Sequence, residues 1–449
     1  MAAPRLTLSR WWLVGLLSAT ATAGYLCRVN LSVAGALLME EFHLSQVEMG
    51  RVFSAFLLGY ALCQVPGGLL ADRFGARRVI TIAAWWWVVA TLAQAAVGVG
   101  PWSPGTAGTL ALLMAARFVM GVGAAPTYPA SAAGVAGWIP PAAQGRATGL
   151  VIASVGIGSA LAPPLVSLVM VRWGWRASMA ASAVPALAAG LIWLFVREPL
   201  RSPARPVPSA HQPEGAEGTA GTDAAAPAGA GPAATAPGPS PGPPRLSRGL
   251  VLLTASYSLQ GYVGYIFVFW FYLYLVQVRH FDLLRGAFLS SLPWVLSIVS
   301  IPLGGVVSDR LARGRLGPVW GRRLVAIIGL AGSGVLISLG ARTGNAWMAA
   351  AYLALATALV LSVEGPFWAT AVALAGSRSG MASGIMNTGC NIGGLISPAL
   401  TPVLAAAIGW ENALRVAAAL AVVGGLLWLG ITPGSASGHR RPHSRTSVA

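Results

Sequence analysis

Residues 67–78 read Gly-Gly-Leu-Leu-Ala-Asp-Arg-Phe-Gly-Ala-Arg-Arg, and a degenerate copy, Gly-Gly-Val-Val-Ser-Asp-Arg, occupies residues 304–310. A second pair of similar blocks lies at nearly the same separation along the chain, with Gly-Arg-Ala-Thr-Gly at 145–149 and Gly-Met-Ala-Ser-Gly at 380–384. Two separate blocks repeated at nearly one offset indicate that the two halves of the chain are copies of each other. The repeat therefore predicts two structurally equivalent units arranged in parallel.

The composition is that of a membrane protein. Of the 449 residues, 56% are apolar and 9% are charged, and the mean hydropathy is +0.70. A soluble domain carries about 25% charged residues, so these proportions exclude a soluble enzyme. The net charge of +17 comes from 29 basic residues, all of them arginine, against 12 acidic residues. Because the arginines lie mostly between apolar runs, they indicate membrane topology rather than nucleic-acid binding.

Twelve apolar runs are long enough to cross a bilayer, which takes about 20 residues. They lie near 11–37, 48–71, 79–99, 108–128, 145–170, 175–196, 249–277, 285–308, 323–341, 347–371, 380–407 and 410–430. The sequence thus predicts an all-α membrane protein with twelve transmembrane helices in two six-helix bundles, at 1–198 and 249–431. Residues 199–248 are dominated by Pro, Ala, Gly and Ser and are predicted to be a disordered cytoplasmic linker. Residues 432–449 are predicted to be a disordered cytoplasmic tail.

The distribution of arginines predicts the orientation. With the N-terminus inside, a large majority of the arginines outside the spans fall on the cytoplasmic side, so both termini are expected in the cytoplasm. The first apolar run continues past Ala23 to Leu38, so we expect it to be a transmembrane helix and not a cleaved signal peptide. The alanine-rich, lysine-free composition favours a bacterial cell (inner) membrane.

The residues at 67–78, between the second and third predicted helices, resemble the signature loop of the major facilitator superfamily. More narrowly, residues 25–32, 59–68 and 117–129 resemble the anion:cation symporter family, which includes bacterial permeases for hexuronates, galactonate and glucarate and the animal sialic acid and vesicular glutamate transporters. The resemblance implies a transporter, not an enzyme. Family members usually carry the acidic residues of proton coupling where this chain has Cys27 and Ala124, which puts coupling by that route in doubt.

Arg28 and Arg117 lie inside apolar helices, where an arginine costs about 2.5–3.5 kcal/mol on insertion scales. A guanidinium in a polar cavity can hold a carboxylate or phosphate with two parallel hydrogen bonds. We expect Arg28 to contact the substrate and favour a structural or gating role for Arg117, which stays a candidate ligand. Further candidate substrate-binding residues are polar or aromatic side chains on the same and other helices: Tyr25, Asn30, Tyr60, Gln64, Gln260, Tyr265, Asn387 and Asn391.

Glu364 is the carboxylate that the sequence places inside a span. Aligning Pro126 with Pro366 puts Glu364 opposite Ala124 in the repeat. A buried carboxyl near an arginine can load and release a proton, so Glu364 is the candidate for proton coupling. The alternatives are a fixed ion partner for an arginine and a misplaced helix end.

A set of charged residues follows the second and eighth predicted helices on the cytoplasmic side. By family resemblance these residues form an inner gate that latches the two bundles: Asp72, Arg73, Arg77, Asp309 and Arg310. Physically, a carboxylate there can lie against the N-terminus of a helix in the opposite bundle. The alternative is a solvated loop whose arginines only set topology.

Together these features predict a secondary transporter of a small organic anion, a sugar acid or another carboxylate, by proton-coupled symport and alternating access. It is expected to act as a monomer in membrane lipid, with a proton as coupling ion and without nucleic acid. The three cysteines, Cys27, Cys63 and Cys390, form no CxxC pair, and neither a metal nor a cofactor is expected. Two alternatives within transport stay open: an uncoupled uniporter or exchanger, and an organophosphate antiporter. A sensor built on a transporter fold is a third.

Overall fold

The computed structural model describes residues 4–100, 105–196, 247–375 and 379–431, and all regular elements in these ranges are helical. The first half contains α1 (Pro4–Phe42), α2 (Gln46–Phe74), α3 (Ala76–Ala96), α4 (Gly105–Ala124), α5 (Thr127–Trp138) and α6 (Pro141–Phe195). The second half contains α7 (Arg248–Phe269), α8 (Phe271–Leu273), a π-helical turn (Tyr274–Val278), α9 (Leu283–Arg313), α10 (Gly317–Arg342), α11 (Ala346–Ser362), α12 (Glu364–Ala375), α13 (Ser379–Leu427) and a 3-10 turn (Trp428–Gly430). The predicted tail at 432–449, and the predicted linker apart from residues 247–248, lie outside the described residues.

The described residues contain ten helical stretches that are long and apolar enough to cross a membrane. Two of these, Ala143–Phe195 and Met381–Gly430, are each two helices in succession. The helix breaks at Gly174 (φ 79°) and Gly409 (φ 81°), in a left-handed conformation that only glycine adopts at low cost. Counting these four helices separately gives the twelve spans that the sequence predicts, and the two glycines occupy equivalent places in the repeat.

A second pair of breaks distinguishes the structure from the predicted spans. The span predicted at 108–128 divides into α4 and α5, and the span predicted at 347–371 divides into α11 and α12. Pro126 and Pro366 lie at or just after these breaks, and proline has no backbone N–H to continue the helical hydrogen bonds. The breaks occur at matching positions of the two halves, which agrees with the alignment of the two prolines. The span predicted at 249–277 is also interrupted, ending as α8 and the π-helical turn.

Close helix packing inside each bundle depends on small residues, as expected between helices in lipid. In the first bundle, the Cα of Gly121 on α4 lies against the backbone carbonyl of Phe56 on α2, leaving no room for a side chain. In the second, Gly393 on α13 lies in the same way against the carbonyl of Ser258 on α7. These approaches hold the helices that carry the candidate site in fixed register.

The two bundles meet most closely at the end that carries the turn between α1 and α2, which we call the closed end. There Gln46 donates to the amide oxygen of Gln277 (3.0 Å) and accepts from the indole N–H of Trp410 (3.1 Å). At the same end, the hydroxyl of Ser167 donates to the carbonyl of Leu283 (3.0 Å). All three contacts join the first bundle to the second, so they fix this end of the interface.

Away from the closed end, α2 remains bonded to α13 for about two thirds of its length. Ser54 donates to the carbonyl of Leu395 (2.9 Å), and Gln64 accepts from the side-chain amide of Asn391 (3.2 Å). Beyond Gln64, no hydrogen bond among the described residues links the rest of α2 to the second bundle. The interface is therefore asymmetric along the helix axes.

Candidate functional site

Arg28 on α1 lies at the centre of the interface between the bundles and is 8% exposed. Its guanidinium donates to the hydroxyl of Tyr25 on its own helix (3.2 Å) and to that of Tyr265 on α7 (3.3 Å). The guanidinium carbon lies 4.9 Å from the ring centroid of Phe56 and 5.5 Å from that of Tyr60. Aromatic faces attract a cation that has lost its hydration, so the rings stabilise Arg28 without neutralising it.

The Arg28 cluster, which we define as Tyr25, Arg28, Phe56, Tyr60 and Tyr265, contains no carboxylate. The ion pairs among the described residues lie elsewhere in the chain, and none includes Arg28 or Arg117. The Nε–H of Arg28 is buried and has no hydrogen-bond partner. A buried cation with an unused donor and no counterion is suited to receive an anion from outside the protein.

Arg117 on α4 plays a different part in the same region. It is 0% exposed, donates to the backbone carbonyl of Arg28 (2.9 Å), and its guanidinium carbon lies 5.3 Å from the ring centroid of Phe56. These contacts hold the backbone of α1 where Arg28 projects. Of the two roles left open for Arg117, the placement favours the structural one.

Glu364 lies at the first residue of α12, at the break after α11. Its carboxylate accepts hydrogen bonds from the hydroxyl of Tyr257 (2.7 Å), the amide of Gln260 (2.9 Å) and the indole of Trp368 (3.3 Å). No arginine is among these partners, so the structure does not support the alternative of a fixed ion pair. Gln260, predicted as a substrate ligand, is engaged here with Glu364.

Helix α7 connects the two groups of polar residues. Tyr265 belongs to the Arg28 cluster, while Gln260 and Tyr257 contact Glu364. At a rise of about 1.5 Å per residue, Gln260 lies about 7.5 Å along the helix from Tyr265, and Tyr257 lies about 12 Å from it. The Glu364 group is thus displaced from Arg28 away from the closed end.

The remaining predicted ligands lie at varied distances from the Arg28 cluster. Tyr60 belongs to it and stacks on Phe56, with ring centroids 6.0 Å apart. Gln64 and Asn391 bond each other across the interface, and Asn387 lies half-buried one turn along α13 from Asn391. Asn30 is 0% exposed and both polar atoms of its side chain are buried without partners. No described contact links Asn30 to Arg28.

The five inner-gate candidates lie at the end opposite the closed end: Asp72, Arg73, Arg77, Asp309 and Arg310. Arg77 donates to the backbone carbonyls of Trp193 (3.2 Å) and Leu194 (2.6 Å), which belong to its own bundle. Asp72 is exposed and Asp309 half-buried, and neither forms an ion pair within the part of the chain that the structure describes. The latch between the bundles stays a prediction.

Sequence reasoning missed Tyr257 and Trp368 as partners of Glu364. Tyr257 lies three residues before Gln260 on α7, and Trp368 lies four residues after Glu364 on α12. Both spacings put the two side chains on one face of a helix. A search for polar or aromatic residues one turn from each candidate would have found both.

Comparison with known proteins finds one matching family model and several similar transporters. A family model described as the Major Facilitator Superfamily matches residues 12–319 and 311–448. The probable sulfoacetate transporter of Cupriavidus necator is 30% identical over 426 residues, covering 95% of this chain and 94% of that protein. The probable galactarate/D-glucarate transporter of Bacillus subtilis is 29% identical over 413 residues, with 91% and 88% covered. The D-galactonate transporter of Escherichia coli is 28% identical over 415 residues, with 90% and 91% covered.

Solved structures share the fold. A bacterial homolog of the human lysosomal transporter Spinster, in an inward-facing and occupied conformation, has a TM-score of 0.74 at 15% identity, covering 94% of this chain and 96% of that one. A D-xylose-proton symporter has a TM-score of 0.71 at 14% identity, with 94% and 98% covered. Identities this low establish the common architecture and nothing about the substrate.

Proposed function

Because this chain belongs to the major facilitator superfamily, and is therefore a multi-pass membrane transporter and not an enzyme, we propose that it carries small organic anions by symport with protons. The observation that carries this proposal is Arg28, a buried guanidinium without a carboxylate partner among the described residues. The printed names of the similar proteins, which include sulfoacetate, glucarate and galactonate transporters, support the same class of substrate.

The donors that Arg28 has left suit a carboxylate or a sulfonate. Of its five N–H groups, one on Nη1 is used by Tyr25 and one on Nη2 by Tyr265. The Nε–H and one hydrogen on each terminal nitrogen remain, which leaves one parallel pair of donors at most. Such a pair matches two oxygens of a planar carboxylate or two of the three sulfonate oxygens.

The side-chain amides on the same interface suit the rest of a sugar acid. Gln64, Asn387 and Asn391 offer both donors and acceptors, and Gln64 and Asn391 are already within hydrogen-bond distance of each other. Hydroxyl groups of a substrate held by Arg28 would replace the hydrogen bond between Gln64 and Asn391 with bonds to the substrate. An aldonate or aldarate therefore fits better than a fully apolar carboxylate.

A phosphate shared by two arginines is the less favoured arrangement. Arg117 is fully buried and spends one of its donors on the carbonyl of Arg28. The Nε and Nη1 of Arg117 have no partner, but Arg28 is the more accessible of the two guanidinium groups, which favours a carboxylate or sulfonate over the dianionic phosphate group of an organophosphate.

We place both termini in the cytoplasm on the distribution of arginines, so the closed end faces outward. In that orientation the conformation described here is closed to the outside. Alternating access would break the bonds of Gln46 and Ser167 and bring the opposite ends of the bundles together. The inner-gate aspartates, Asp72 and Asp309, would then gain partners in the other bundle.

The test is uptake into proteoliposomes of labelled sulfoacetate, glucarate, galactonate and a hexuronate, with and without an inward proton gradient. We expect saturable uptake of at least one anion, accumulated when the gradient is present. Arg28→Ala is expected to abolish it, while Arg51→Ala, which removes an exposed arginine of α2, is the matched control. Failure of every anion to enter above protein-free liposomes would refute the proposal.

A further inference from the structure

We propose that Glu364, together with Tyr257 and Gln260, forms the proton-binding site that drives this transporter, and that α7 links it to the anion site at Arg28. This inference rests on the proposed function, since it assumes that an anion is carried. It locates the coupling site in the second bundle, away from the positions on α1 and α4 that Cys27 and Ala124 occupy.

The position of Glu364 is suited to a group that must change its exposure. It follows the interruption at Val363. The next residue, Gly365, packs closely against the backbone of Gly305 on α9. The side chain is half-buried, and protein groups hold its carboxylate. A helix interruption of this kind allows α12 to move relative to α11.

The partners of Glu364 suit a carboxyl group that gains and loses a proton. Tyr257, Gln260 and Trp368 all direct hydrogens at the ionised carboxylate. When Glu364 gains a proton, it becomes a donor and needs an acceptor. The hydroxyl of Tyr257 can accept after rotation, and the amide of Gln260 can present its oxygen after a half-turn. The site therefore serves both protonation states with the same residues.

Among the described residues, no arginine forms an ion pair with Glu364. The titratable groups that interact with it are Tyr257 on α7, Cys390 on α13 and Tyr128 on α5. The same end of α9 and α10 carries further charged residues: Asp309, Arg310, Arg313, Arg322 and Arg323. Arg322 donates to the carbonyl of Ala369 (3.2 Å), five residues along α12 from Glu364. Because the carboxylate has neutral hydrogen-bond donors instead of an ion partner, a proton is the species that cancels its charge when it is shielded from water.

Helix α7 carries contacts to both Glu364 and Arg28, and these contacts provide the coupling to the anion. Tyr257 and Gln260 bond Glu364, while Tyr265 accepts from Arg28. Gly393 and Gly394 of α13 press against the same helix, the former on the carbonyl of Ser258 and the latter on the ring of Tyr265. A rearrangement of Tyr257 and Gln260 on protonation is thus transmitted along a tightly packed helix to the Arg28 cluster. The proton is taken from water on one side and released to water on the other, with no covalent chemistry.

The decisive experiment compares wild type with Glu364→Gln in proteoliposomes, using the panel anion that exchanges fastest. At a pH difference of about 2 units, one proton per monovalent anion limits accumulation to about 100-fold. We expect wild type to accumulate and Glu364→Gln to keep anion exchange while its accumulation ratio falls to one. Glu364→Asp, which keeps the carboxyl, should still accumulate, and Glu40→Gln, at an exposed carboxylate near the closed end, is the control. Proton-driven accumulation by Glu364→Gln would overturn the inference.

A second measurement needs no gradient. In weakly buffered detergent solution at alkaline pH, addition of the same anion should cause net proton uptake by wild type and none by Glu364→Gln. Uptake of protons by the variant, or none by wild type, would overturn the inference. Wild type that exchanges anion without proton dependence would refute the coupling site and leave the anion-transport proposal intact. Wild type that carries no anion would refute the proposed function itself.

Discussion

Replacing Arg28 by lysine tests the anion site while keeping its charge. A lysine ammonium is a point charge with three donors and lacks the planar fork that grips two oxygens at once. The substitution also gives up the stacking of the guanidinium on Phe56, whose ring centroid lies 4.9 Å away. The anion therefore loses one of two charge-assisted hydrogen bonds but keeps its electrostatic attraction.

The magnitude follows from the value of one such bond. A hydrogen bond to a charged group contributes about 1.5–3 kcal/mol, and each 1.4 kcal/mol is tenfold in affinity. We therefore expect Arg28→Lys to raise the Kd of the transported anion about 10- to 150-fold. Tyr25 and Tyr265, which accept from Arg28 in the free protein, can still bond an ammonium, so the fold should be retained.

The assay is equilibrium binding to purified protein, by calorimetry or by the anion-induced rise in Tm. Arg51→Lys, on the exposed face of α2, is the matched control and should bind like wild type. A Kd for Arg28→Lys within about threefold of wild type, in a protein with normal Tm, would refute the assignment of Arg28 as the anion ligand.

Three further outcomes follow from the packing. Arg117→Lys should lower the free energy of unfolding, measured by thermal denaturation, by about 1–2 kcal/mol. It should change the anion Kd far less than Arg28→Lys does. An increase in Kd as large as that of Arg28→Lys would contradict the structural role of Arg117. Gln46→Leu removes two hydrogen bonds at the closed end, worth about 1–3 kcal/mol together. Impermeant thiol reagents should therefore label a Ser167→Cys reporter faster, in a background free of other cysteines. Unchanged labelling would count against closure of this end by Gln46. Gly393→Ala should cost about 1–3 kcal/mol of stability by overpacking against α7. Gly384→Ala, with no atom within 4 Å, should not lower Tm, because alanine is the better helix former. Equal losses of stability would disprove the packing argument.

Much of the fold could be predicted because its signals are local. The apolar runs predict the twelve spans, and the breaks at Gly174 and Gly409 fall between predicted spans in both halves. The interruptions at Pro126 and Val363 were not predicted, because hydropathy over a long window does not register a break of one or two residues. The alignment of Pro126 with Pro366 already contained that information.

The candidate site was only partly predictable from the sequence. Arg28 and Glu364 stand out because a charge inside an apolar run is visible in the sequence alone. Their partners are not, since Tyr265 comes from the other half of the chain and Tyr257 reaches Glu364 from a different helix. Asn30, two residues from Arg28, turns to another face of α1, where it is fully buried. Local spacing can identify Tyr257 as a candidate, but its pairing with Glu364 depends on the tertiary packing of distant helices.

The two tryptophans that follow Gly174 and Gly409 have different partners despite their equivalent places in the repeat. Trp175 donates to Glu41 within its own bundle (2.6 Å), whereas Trp410 donates to Gln46 in the opposite one (3.1 Å). The bonds that hold the closed end together thus join uncharged groups, and salt screens charges but not neutral amides and indoles. Changes in salt concentration should accordingly have little effect on these bonds, so the contacts that they form are expected to persist in dilute and in concentrated salt.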